Sequence, residues 1–448
     1  MSEYSISIGR IKKQKGKPII FTLIFLATVF IILPVLFVLP SAYGKGSTLK
    51  IAVVIPTRGR FVYFSKQFIN GLLLSLDDKG GSKINYVTVN LPVNAGATDI
   101  NYIFTSLSKK GVSAVIGPLF ATQLKYFASN SAKFKIPVIT PSPFVAKKDA
   151  SSFTFSYGMT LKQEIRTEIE YAASNGISRI SVIYPHNGYG PKLMDYIRHF
   201  SSKNGIDIIN STEYDDKTVD FFYNFHSIVK FNKLKKGRLS KAEEAQLGVT
   251  PFDLMHGITK VKPHIPFKGL FVIGNPSKLG LILTQLMYYN ITGFPIFGLS
   301  PFDSEHFIEK YGFYMQNAIF TDGFFKYDND KVVKKFASIY QNNYGKMPNI
   351  ISAEGYDIGG ILIKAAEAFS HREAVGPSGS SNNPPPFKVQ YLMKANNART
   401  YTFYDAILSV KSFRGVCGIS RLSGNKFKKG LYLFKYRDNK IYVLKSPF

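Results

Sequence analysis

Histidine and cysteine are the residue types best suited to metal binding or acid–base chemistry, and their spacing in this chain argues against both. No two of the seven histidines are three or four residues apart, so no helical pair can hold a metal ion. The single cysteine, Cys417, cannot form an internal disulfide or build a metal site alone. Its strand-like surroundings predict a buried structural thiol. We therefore predict no metal site and no cofactor.

Motifs for nucleophilic or phosphate chemistry are also missing from the sequence. There is no G-x-S-x-G elbow, no Walker loop and no G-x-G-x-x-G after a strand. Thr57-Arg-Gly-Arg60 predicts a turn after the first strand, and its backbone N–H groups could meet an anion. Glu164, Glu168 and Glu170 lie on one predicted helix, and we interpret them as a solvated face. We predict a protein that is not an enzyme, although a site built from scattered residues is still an alternative.

The charge of the chain is strongly positive, at +28 from 57 Lys and Arg against 29 Asp and Glu. Such an excess is typical of partners such as nucleic acid or an anionic surface, or of an acidic surrounding. The lysines are scattered, and no zinc finger, recognition helix or RNA-binding signature accompanies them. We therefore predict no nucleic-acid partner and interpret the charge as a property of the environment or of a nearby anionic surface.

The N-terminal segment predicts export. A basic cluster at 10–17 precedes an uncharged apolar run of 22 residues at 18–39, which is long enough to cross a bilayer. Positive residues before the run predict that 1–17 stays in the cytoplasm and that everything after the run is translocated. Ala42 and Gly44 fit a cleavage site, so a cleaved signal and an uncleaved membrane anchor both stay open.

The rest of the chain alternates short β-branched strands with helices of ten to fourteen residues, beginning with the strand Lys50–Ile55. This alternation predicts an α/β fold of two doubly wound parallel-sheet units in series. Ligands of such sheets bind outside the carboxyl ends of the strands. Residues 232–266 predict a surface insertion, and the Gly- and Pro-rich residues 371–387 predict a flexible loop.

Several turns resemble a known family. Val115-Ile-Gly-Pro-Leu-Phe120 and Ile136-Pro-Val-Ile-Thr-Pro-Ser142 are similar to the type I periplasmic binding proteins of the leucine and branched-chain amino acid receptor family. Gly269-Leu-Phe-Val-Ile-Gly-Asn275, Ala318-Ile-Phe-Thr-Asp-Gly-Phe-Phe325 and Ala353-Glu-Gly-Tyr-Asp357 resemble the penicillin-binding protein activator branch. The resemblance spans roughly residues 48–448.

The resemblance implies two lobes joined by three crossovers, near 158–161, 320–323 and 405–408, with the ligand in a hinged cleft between the lobes. The first lobe would comprise 48–159 and 322–405. The second lobe would comprise 160–321 and 406–448.

The resemblance also implies a pocket, in which several family contacts are replaced. Ala121 stands where a hydroxyl holds the ligand carboxylate, with Thr122 beside it, and Phe144 replaces another hydroxyl. Ser300 stands where an acid receives the ligand ammonium, so we do not expect a free branched-chain amino acid, because an uncompensated ammonium in a closed cleft is costly. Structural roles stay open as alternatives, namely helix caps, turns or core aromatics. The expected ligand-binding residues are Tyr63, Phe64, Ala121, Thr122, Ser142, Phe144, Tyr189, Asn275 and Ser300.

Two functions follow from the resemblance. The first is a periplasmic solute-binding component of an ABC transporter, which would bind a small-molecule ligand and dock on a permease. The second is an interaction protein that activates cell-wall synthases. An uncleaved segment at 18–39 would anchor either of them in the inner membrane.

Overall fold

A computed structural model of the chain describes residues 3–4, 49–81, 84–144, 150–231, 240–256, 263–374 and 401–448. The apolar run at 18–39 lies outside the described residues, and no helix within them is long and apolar enough to cross a membrane. The strands are β1 (Glu3–Tyr4), β2 (Leu49–Ile55), β3 (Ile84–Asn90), β4 (Ala114–Ile116), β5 (Val138–Thr140), β6 (Thr154–Ser156), β7 (Arg179–Pro185), β8 (Asp207–Tyr214), β9 (Gly269–Val272), β10 (Ile296–Gly298), β11 (Ala318–Asp322), β12 (Ser412–Gly415), β13 (Gly418–Ser423), β14 (Lys426–Lys429), β15 (Tyr432–Arg437) and β16 (Lys440–Lys445).

Helices follow most of the parallel strands, as the alternating pattern predicts. The helices are α1 (Val62–Asp78), α2 (Ala97–Lys109), α3 (Leu124–Phe134), α4 (Leu161–Ser174), α5 (Gly190–Lys203), α6 (Phe222–Ile228), α7 (Lys241–Leu247), α8 (Pro251–His256), α9 (Pro276–Tyr288), α10 (Glu305–Tyr311), α11 (Lys331–Tyr344), α12 (Ile350–Ala374) and α13 (Phe403–Ser409).

The strands form two eight-stranded sheets. The first sheet has the order β12-β13-β14-β6-β5-β4-β2-β3, and the second has the order β1-β16-β15-β11-β10-β9-β7-β8. From β3 to β14, and from β8 to β11, the neighbouring strands are parallel. The C-terminal strands β12–β16 add antiparallel pairs at one edge of each sheet. The predicted α/β fold of two doubly wound lobes is confirmed, and its sheets are mixed rather than purely parallel.

Each sheet has an apolar core on both faces, because its central strands are apolar on both sides. Val53 packs with α1 and α12 on one face of the first sheet, whereas Val54 packs with α2 and α3 on the other face. In the second sheet, Val272 and Phe271 point into two further cores in the same way. We call each sheet with its covering helices a lobe.

The third passage between the lobes differs from the sequence-based expectation. The resemblance placed it near 405–408, which assigned all of 406–448 to the second lobe. In the structure β14 pairs with β6 through Lys426 and Ser156, so β12–β14 belong to the first sheet. The chain therefore passes to the second sheet at residues 430–431, between β14 and β15. Short antiparallel strands carry no sequence signal for the sheet they join, because their partners are distant along the chain.

The last three residues also contact both lobes. The Pro447 carbonyl accepts a hydrogen bond from the Ile419 backbone N–H at 3.5 Å, in the first sheet. The Phe448 ring packs against the cores of both lobes, 6.5 Å from the Tyr432 ring and under the Arg414 guanidinium at 5.1 Å. This C-terminal tail (446–448) therefore links the lobes beside the third crossover.

At the outer edge of the second sheet, β1 pairs antiparallel with β16, with Glu3 opposite Tyr442. This two-residue strand takes the free edge of the second sheet, where an edge strand offers unpaired backbone groups.

Two predicted irregular segments contain regular structure. The insertion at 232–266 contributes α7 and α8, and Phe252 of α8 packs 5.4 Å from Phe222 in the second core. Residues 232–239 and 257–262 lie outside the described residues. The predicted loop at 371–387 begins later than expected, because α12 continues to Ala374. Residues 375–400 are not described.

Candidate functional site

The first lobe exposes aromatic side chains at the carboxyl ends of β2 and β4. Tyr63 and Phe64, in the first turn of α1, are 58% and 40% exposed. The Phe61 ring lies 4.7 Å from that of Phe120 and 6.3 Å from that of Phe64, between centroids. We call Phe61, Tyr63, Phe64 and Phe120 the first-lobe aromatic surface. It can receive the apolar part of a ligand.

The loop after β2 fixes where this surface begins. The backbone N–H and the hydroxyl of Thr57 both donate to Asn90 Oδ1, at 2.9 Å. Gly59 adopts φ +78°, which favours glycine, and its carbonyl accepts from Val62 N at 3.2 Å. These hydrogen bonds hold the loop in place and thereby position Phe61 immediately before α1.

Ala121 and Thr122 lie in a short 3-10 turn after β4, at Ala121–Gln123. Ala121 is half-buried and Thr122 is exposed. Thr122 does not cap α3, since the residue before that helix is Gln123 and no side chain caps its first turn. The cap alternative for Thr122 is therefore wrong, which leaves its hydroxyl at the surface beside Phe120.

Ser142 and Phe144 follow β5 and have different surroundings. Ser142 is buried, and its hydroxyl donates to the Leu119 carbonyl at 2.7 Å, so it ties the two loops after β4 and β5 together. The Ser142 carbonyl in turn accepts from the Ser156 hydroxyl at 2.9 Å. Phe144 is half-buried, with Lys426 Nζ 5.5 Å above its ring. The Ser142 hydroxyl thus has a structural partner, whereas the Phe144 ring is partly accessible.

The second lobe contributes Tyr189, Asn275 and Ser300, each at the carboxyl end of a different strand. Tyr189 precedes α5 and is 38% exposed, and burial together with the nearby Asp216 raises the pKa of its hydroxyl. Asn275 caps α9, because its Oδ1 accepts from Lys278 N at 3.1 Å. Asn275 is therefore a helix cap in this structure, and Tyr189 is the aromatic group that this lobe presents.

Ser300 begins a 3-10 turn after β10 and rests on a buried carboxylate. Its backbone N–H donates to Glu164 Oε2 at 2.8 Å. The Thr321 hydroxyl lies 3.4 Å from Glu164 Oε2 and 3.4 Å from Glu168 Oε1. Glu168 Oε2 is buried and has no hydrogen-bond partner. The expectation that Glu164 and Glu168 form a solvated face is wrong, and only Glu170 of that set is exposed. The helix turns its first two glutamates towards β11, which the sequence spacing alone does not reveal.

Burial controls the protonation of these carboxyls. It raises the pKa of Glu164 to about 7, against the hydrogen bonds from Ser300 and Thr321. Burial and the neighbouring Glu164 raise the pKa of Glu168. The same holds for a second pair beside them, because burial raises the pKa of Asp303 and of Asp322. Lys326, which pairs with Glu305, is the cation that acts on Asp303. We call Glu164, Glu168, Asp303 and Asp322 the carboxyl cluster, in which Asp303 is half-buried and the other three are buried.

The Ala353–Asp357 motif has a structural role in the first lobe. Asp357 accepts hydrogen bonds from Val416 N at 2.7 Å, from Cys417 N at 2.9 Å and from the Tyr157 hydroxyl at 2.6 Å. Glu354 Oε1 accepts from Lys429 Nζ at 3.0 Å. The motif therefore joins α12 to the start of the first crossover and to the end of β14. Cys417 is buried within this network, as predicted, and burial raises its pKa well above the usual range.

Metal chemistry has no visible basis in the described part of the chain. No group of three or more His, Cys, Asp or Glu side chains there is arranged to hold an ion. Two surface depressions of about 400 and 380 Å³ lie on the second lobe, one around His264 and Thr292 and one around Arg198 and Asp207. Both adjoin the amino ends of strands, on the opposite side from the residues described above.

Several residues of this region were not predicted from the sequence. Phe61 and Phe120 read as ordinary apolar neighbours of turns, although their position next to strand ends was a usable signal. Lys346, whose Nζ lies 4.8 Å above the Tyr63 ring, comes from the loop after α11 and is far away in sequence. No motif or spacing in the sequence indicated that Asp303 and Asp322 would lie beside Glu164.

Comparisons with known proteins agree on the architecture. The sequence profile of the family described as periplasmic binding protein matches residues 48–438. No curated protein matches the chain. A candidate branched-chain amino acid ABC transporter protein from Rhodospirillum rubrum superposes with a TM-score of 0.67 at 18% identity, over 89% of this chain and 100% of that chain.

Two ligand complexes are similar in fold. The branched-chain amino acid substrate-binding protein of Streptococcus pneumoniae, solved with isoleucine, gives a TM-score of 0.60 at 17% identity, over 89% of this chain and 99% of that one. A solute-binding protein of R. palustris, solved with benzoate, gives 0.59 at 13% identity, over 89% and 97%.

Proposed function

The chain belongs to the periplasmic binding protein family, and from this premise we propose that it is the solute-binding component of an ABC transporter, holding a small molecule between its two lobes. The partner would be a permease that recognises the closed form. The chain would deliver its solute to the permease, and no catalytic role is proposed for it.

The observation that carries this proposal is that both lobes expose aromatic side chains at the carboxyl ends of their parallel strands. Tyr63 and Phe64 on the first lobe and Tyr189 on the second are all partly exposed, although large aromatic side chains are usually buried. Ligands of open α/β sheets bind at this end of the strands. Similar proteins solved with isoleucine and with benzoate share the fold, which supports a small organic ligand.

If these aromatic side chains bind the solute, removing either ring should weaken binding. Tyr63→Ala and Tyr189→Ala are each expected to weaken solute binding about 10-fold or more, since a buried aromatic contact contributes roughly 1 to 3 kcal/mol. Tyr102→Ala is the control, because Tyr102 is also exposed, at 76%, but lies on α2 and not in the loops that carry the surface. Affinity is measured by calorimetry with the solute that co-purifies. Equal affinities in all three variants would refute the proposed binding surface.

A free branched-chain amino acid is not the proposed ligand. Its ammonium would face Ser300, and the nearest carboxyl behind that residue is Glu164, which is buried and already accepts from the Ser300 N–H. A buried ammonium without an ionised partner is costly. Calorimetry of the purified protein with leucine, isoleucine and valine is expected to show no binding, and micromolar affinity for any of them would contradict this pocket.

The competing activator function makes a different prediction for native mass spectrometry. A protein purified from its own host is expected to carry a bound solute of defined mass. An empty cleft together with a co-purifying cell-wall synthase would favour the activator function instead. An anchor at 18–39 is compatible with either result, since it would only restrict the protein to the membrane surface.

A further inference from the structure

Lysines lie together at the end of the first lobe that is opposite to its aromatic surface. In a parallel sheet, each connecting helix starts at the carboxyl end of one strand and ends near the amino end of the next. The C-terminal ends of α2 and α3 and the start of β2 therefore share one end of the lobe. These positions carry exposed lysines, namely Lys50, Lys109, Lys110, Lys133 and Lys135. We call this set the basal lysine surface.

Contacts within the fold show that these lysines are neighbours. Lys50 Nζ donates to the Lys110 carbonyl at 3.0 Å, and the Lys50 carbonyl accepts from Ser113 N at 2.8 Å. β2 pairs with β4 and β4 pairs with β5, so the residues that enter these strands lie side by side. Lys135 caps α3 shortly before β5, and α2 and α3 cover the same face of the sheet. The surface is therefore formed by adjacent elements.

The basal lysine surface has no acidic residue to compensate it in its own stretch of chain. Asp99 is the single acidic residue between 84 and 136, and it lies in the first turn of α2. About 15 Å of helix separates Asp99 from Lys109, which ends α2. Lys133 Nζ donates to the neutral side chain of Asn101 at 2.8 Å. None of these lysines forms an ion pair with a carboxylate of the described residues.

Comparable ends of other elements carry both signs of charge. On the other face of the same sheet, α1 ends in Asp77 and Asp78, and Lys335 pairs with Asp78 at 2.8 Å. In the second sheet, Arg179 lies opposite Asp207 where β7 and β8 begin. The ends of α2 and α3 differ from these because they carry lysines without an acid.

The helix dipole explains only part of this arrangement. Lys109 and Lys133 stand in the last turns of their helices, where a cation is attracted to the C-terminal carbonyl groups. Lys135 follows its helix and adopts φ +52°, a conformation in which glycine or asparagine is usual. Like charges held side by side repel one another, and an anionic partner would remove that repulsion. The surface therefore fits an extended anionic partner better than a purely structural role.

The start of β2 determines which end of the lobe an anchored chain brings to the membrane. Only residues 40–48 separate the apolar run at 18–39 from Leu49, the first residue of β2. A chain of that length reaches about 35 Å at most when it is fully extended. Since Lys50 follows Leu49 directly, an anchor at 18–39 keeps the basal lysine surface close to the lipid headgroups.

We propose that the basal lysine surface docks on the anionic phospholipid headgroups of the membrane in which residues 18–39 anchor the chain. This inference goes beyond solute binding and rests on the apolar run being retained. Each lysine close to an anionic bilayer contributes about 5-fold to binding. Docking through the amino ends of the strands leaves the first-lobe aromatic surface, at their carboxyl ends, free for solute.

Lysine acylation in nanodiscs tests the docking. The full chain is incorporated into discs of phosphatidylcholine alone, or of equal parts phosphatidylcholine and phosphatidylglycerol, and treated with a lysine-acylating reagent before peptide mass spectrometry. We expect Lys109, Lys110 and Lys135 to react about 3-fold or more slowly on the anionic discs, with the difference lost in about 1 M salt. Lys217 and Lys310, which are exposed on the second lobe, should react equally on both kinds of disc.

A double variant separates lipid docking from a role in the helices. In Lys109→Gln/Lys110→Gln, we expect Lys135 to react as fast on anionic discs as on neutral discs. Lys203→Gln/Lys217→Gln removes the same charge from the second lobe, with Lys203 also in the last turn of a helix, and should leave Lys135 protected. A lower unfolding midpoint of the first variant with Lys135 still protected would show a structural role and contradict docking.

Other results overturn the inference in separate ways. Equal acylation on both kinds of disc would show that the lysines do not meet the headgroups, and slower acylation of Lys217 and Lys310 as well would show attraction of the whole basic protein. Stronger protection by soluble polyphosphate than by phosphatidylglycerol, at equal phosphate concentration, would identify a polymer as the partner. Loss of the chain from the discs would show that 18–39 does not anchor it. Solute binding is unaffected by any of these results, since calorimetry tests it separately.

Discussion

The carboxyl cluster shows how much the protonation of one side chain depends on its surroundings. Glu164 and Glu170 lie on the same helix, yet Glu164 is buried against Thr321, whereas Glu170 is exposed and pairs with Arg166 at 2.6 Å. Removing a carboxylate from water without an adjacent cation favours its neutral form. Burial thus raises the pKa of Glu164 to about 7 because of its position in the fold, where it accepts a hydrogen bond from the Ser300 N–H.

The raised pKa predicts a fold that loses stability as the pH rises. Below pH 4.5, the ordinary pKa of a glutamic acid, Glu164 is protonated in both the folded and the unfolded chain. Between that pH and about 7 the unfolded chain releases the proton first, so the free energy of unfolding falls. Urea unfolding is therefore expected to show a lower free energy of unfolding at about pH 8 than at about pH 5.

Glu164→Gln isolates this contribution, since glutamine keeps an acceptor for the Ser300 N–H but cannot ionise. We expect the variant to be close to wild type at about pH 5 and more stable than wild type at about pH 8, by up to about 3 kcal/mol. Glu170→Gln on the exposed side of the same helix should show no such pH dependence. A Glu164→Gln effect of equal size at both pH values would contradict the burial argument.

At the scale of elements, the position of the first-lobe aromatic surface depends on how α1 packs on α12. The two helices approach closely where glycines face each other's backbone: a Cβ at Gly71 would overlap the Ser352 carbonyl oxygen, and one at Gly355 would overlap the Phe68 carbonyl oxygen. Gln67 and Asn349 add a hydrogen bond at 2.5 Å across the same contact. Since Tyr63 and Phe64 lie in the first turn of α1, this packing sets where they stand.

Gly71→Ala is expected to push the helices apart. We expect a loss of about 2 kcal/mol, typical of overpacking against a backbone that cannot move aside. Solute affinity should fall as well, because α1 carries Tyr63 and Phe64 of the first-lobe aromatic surface. Gly96→Ala is the control, since no atom lies within 4 Å of a Cβ built there. Thermal unfolding and calorimetry measure both effects, and an unchanged Gly71→Ala protein would show that the helices separate without cost.

At the scale of the whole molecule, the two lobes have a connection besides the three crossovers. Pro447 lies against Gly418 of the first sheet and against Gly430 of the third crossover, while Phe448 packs on the cores of both lobes. Hinge proteins open through a few terminal residues of their elements. Contacts of the C-terminal tail therefore have to change whenever the lobes move apart. Family membership indicates a location outside the cytoplasm.

Gly418→Ala tests this connection. The residue adopts φ +93°, and a Cβ there would lie 2.7 Å from Pro447 Cβ, so the substitution displaces the tail. We expect a loss of about 1 to 3 kcal/mol, and a more open average separation of the lobes in solution scattering without solute. Gly424→Ala, at a hairpin with φ +57° and no atom within 4 Å, also places a side chain at positive φ but leaves the tail in place. Equal scattering of the two variants would refute a role of the tail in the hinge.

The sequence alone determined the fold class, because its evidence is local. Alternation of short apolar strands with helices specifies parallel sheets, and the stretches Val115–Phe120 and Ile136–Ser142 resemble the family that the sequence profile confirms. Cys417 was correctly predicted as buried for the same reason, since it lies in an apolar strand-like stretch. Tyr63, Phe64 and Tyr189, which the resemblance named as candidates, are exposed and follow the carboxyl ends of β2 and β7.

Only the tertiary structure decided which side chains meet. Lys346 lies over the Tyr63 ring, and Glu164 accepts from the Ser300 N–H. The Ser142 hydroxyl donates to a loop carbonyl, and the Asn275 side chain caps a helix. Spacing along the chain reveals none of these contacts. The assignment of β12–β14 to the first sheet has the same origin, because a strand of four to six residues satisfies its backbone with whichever edge is free. Secondary structure follows from neighbouring residues, whereas burial, pairing and charge depend on contacts across hundreds of residues, which folding alone brings together.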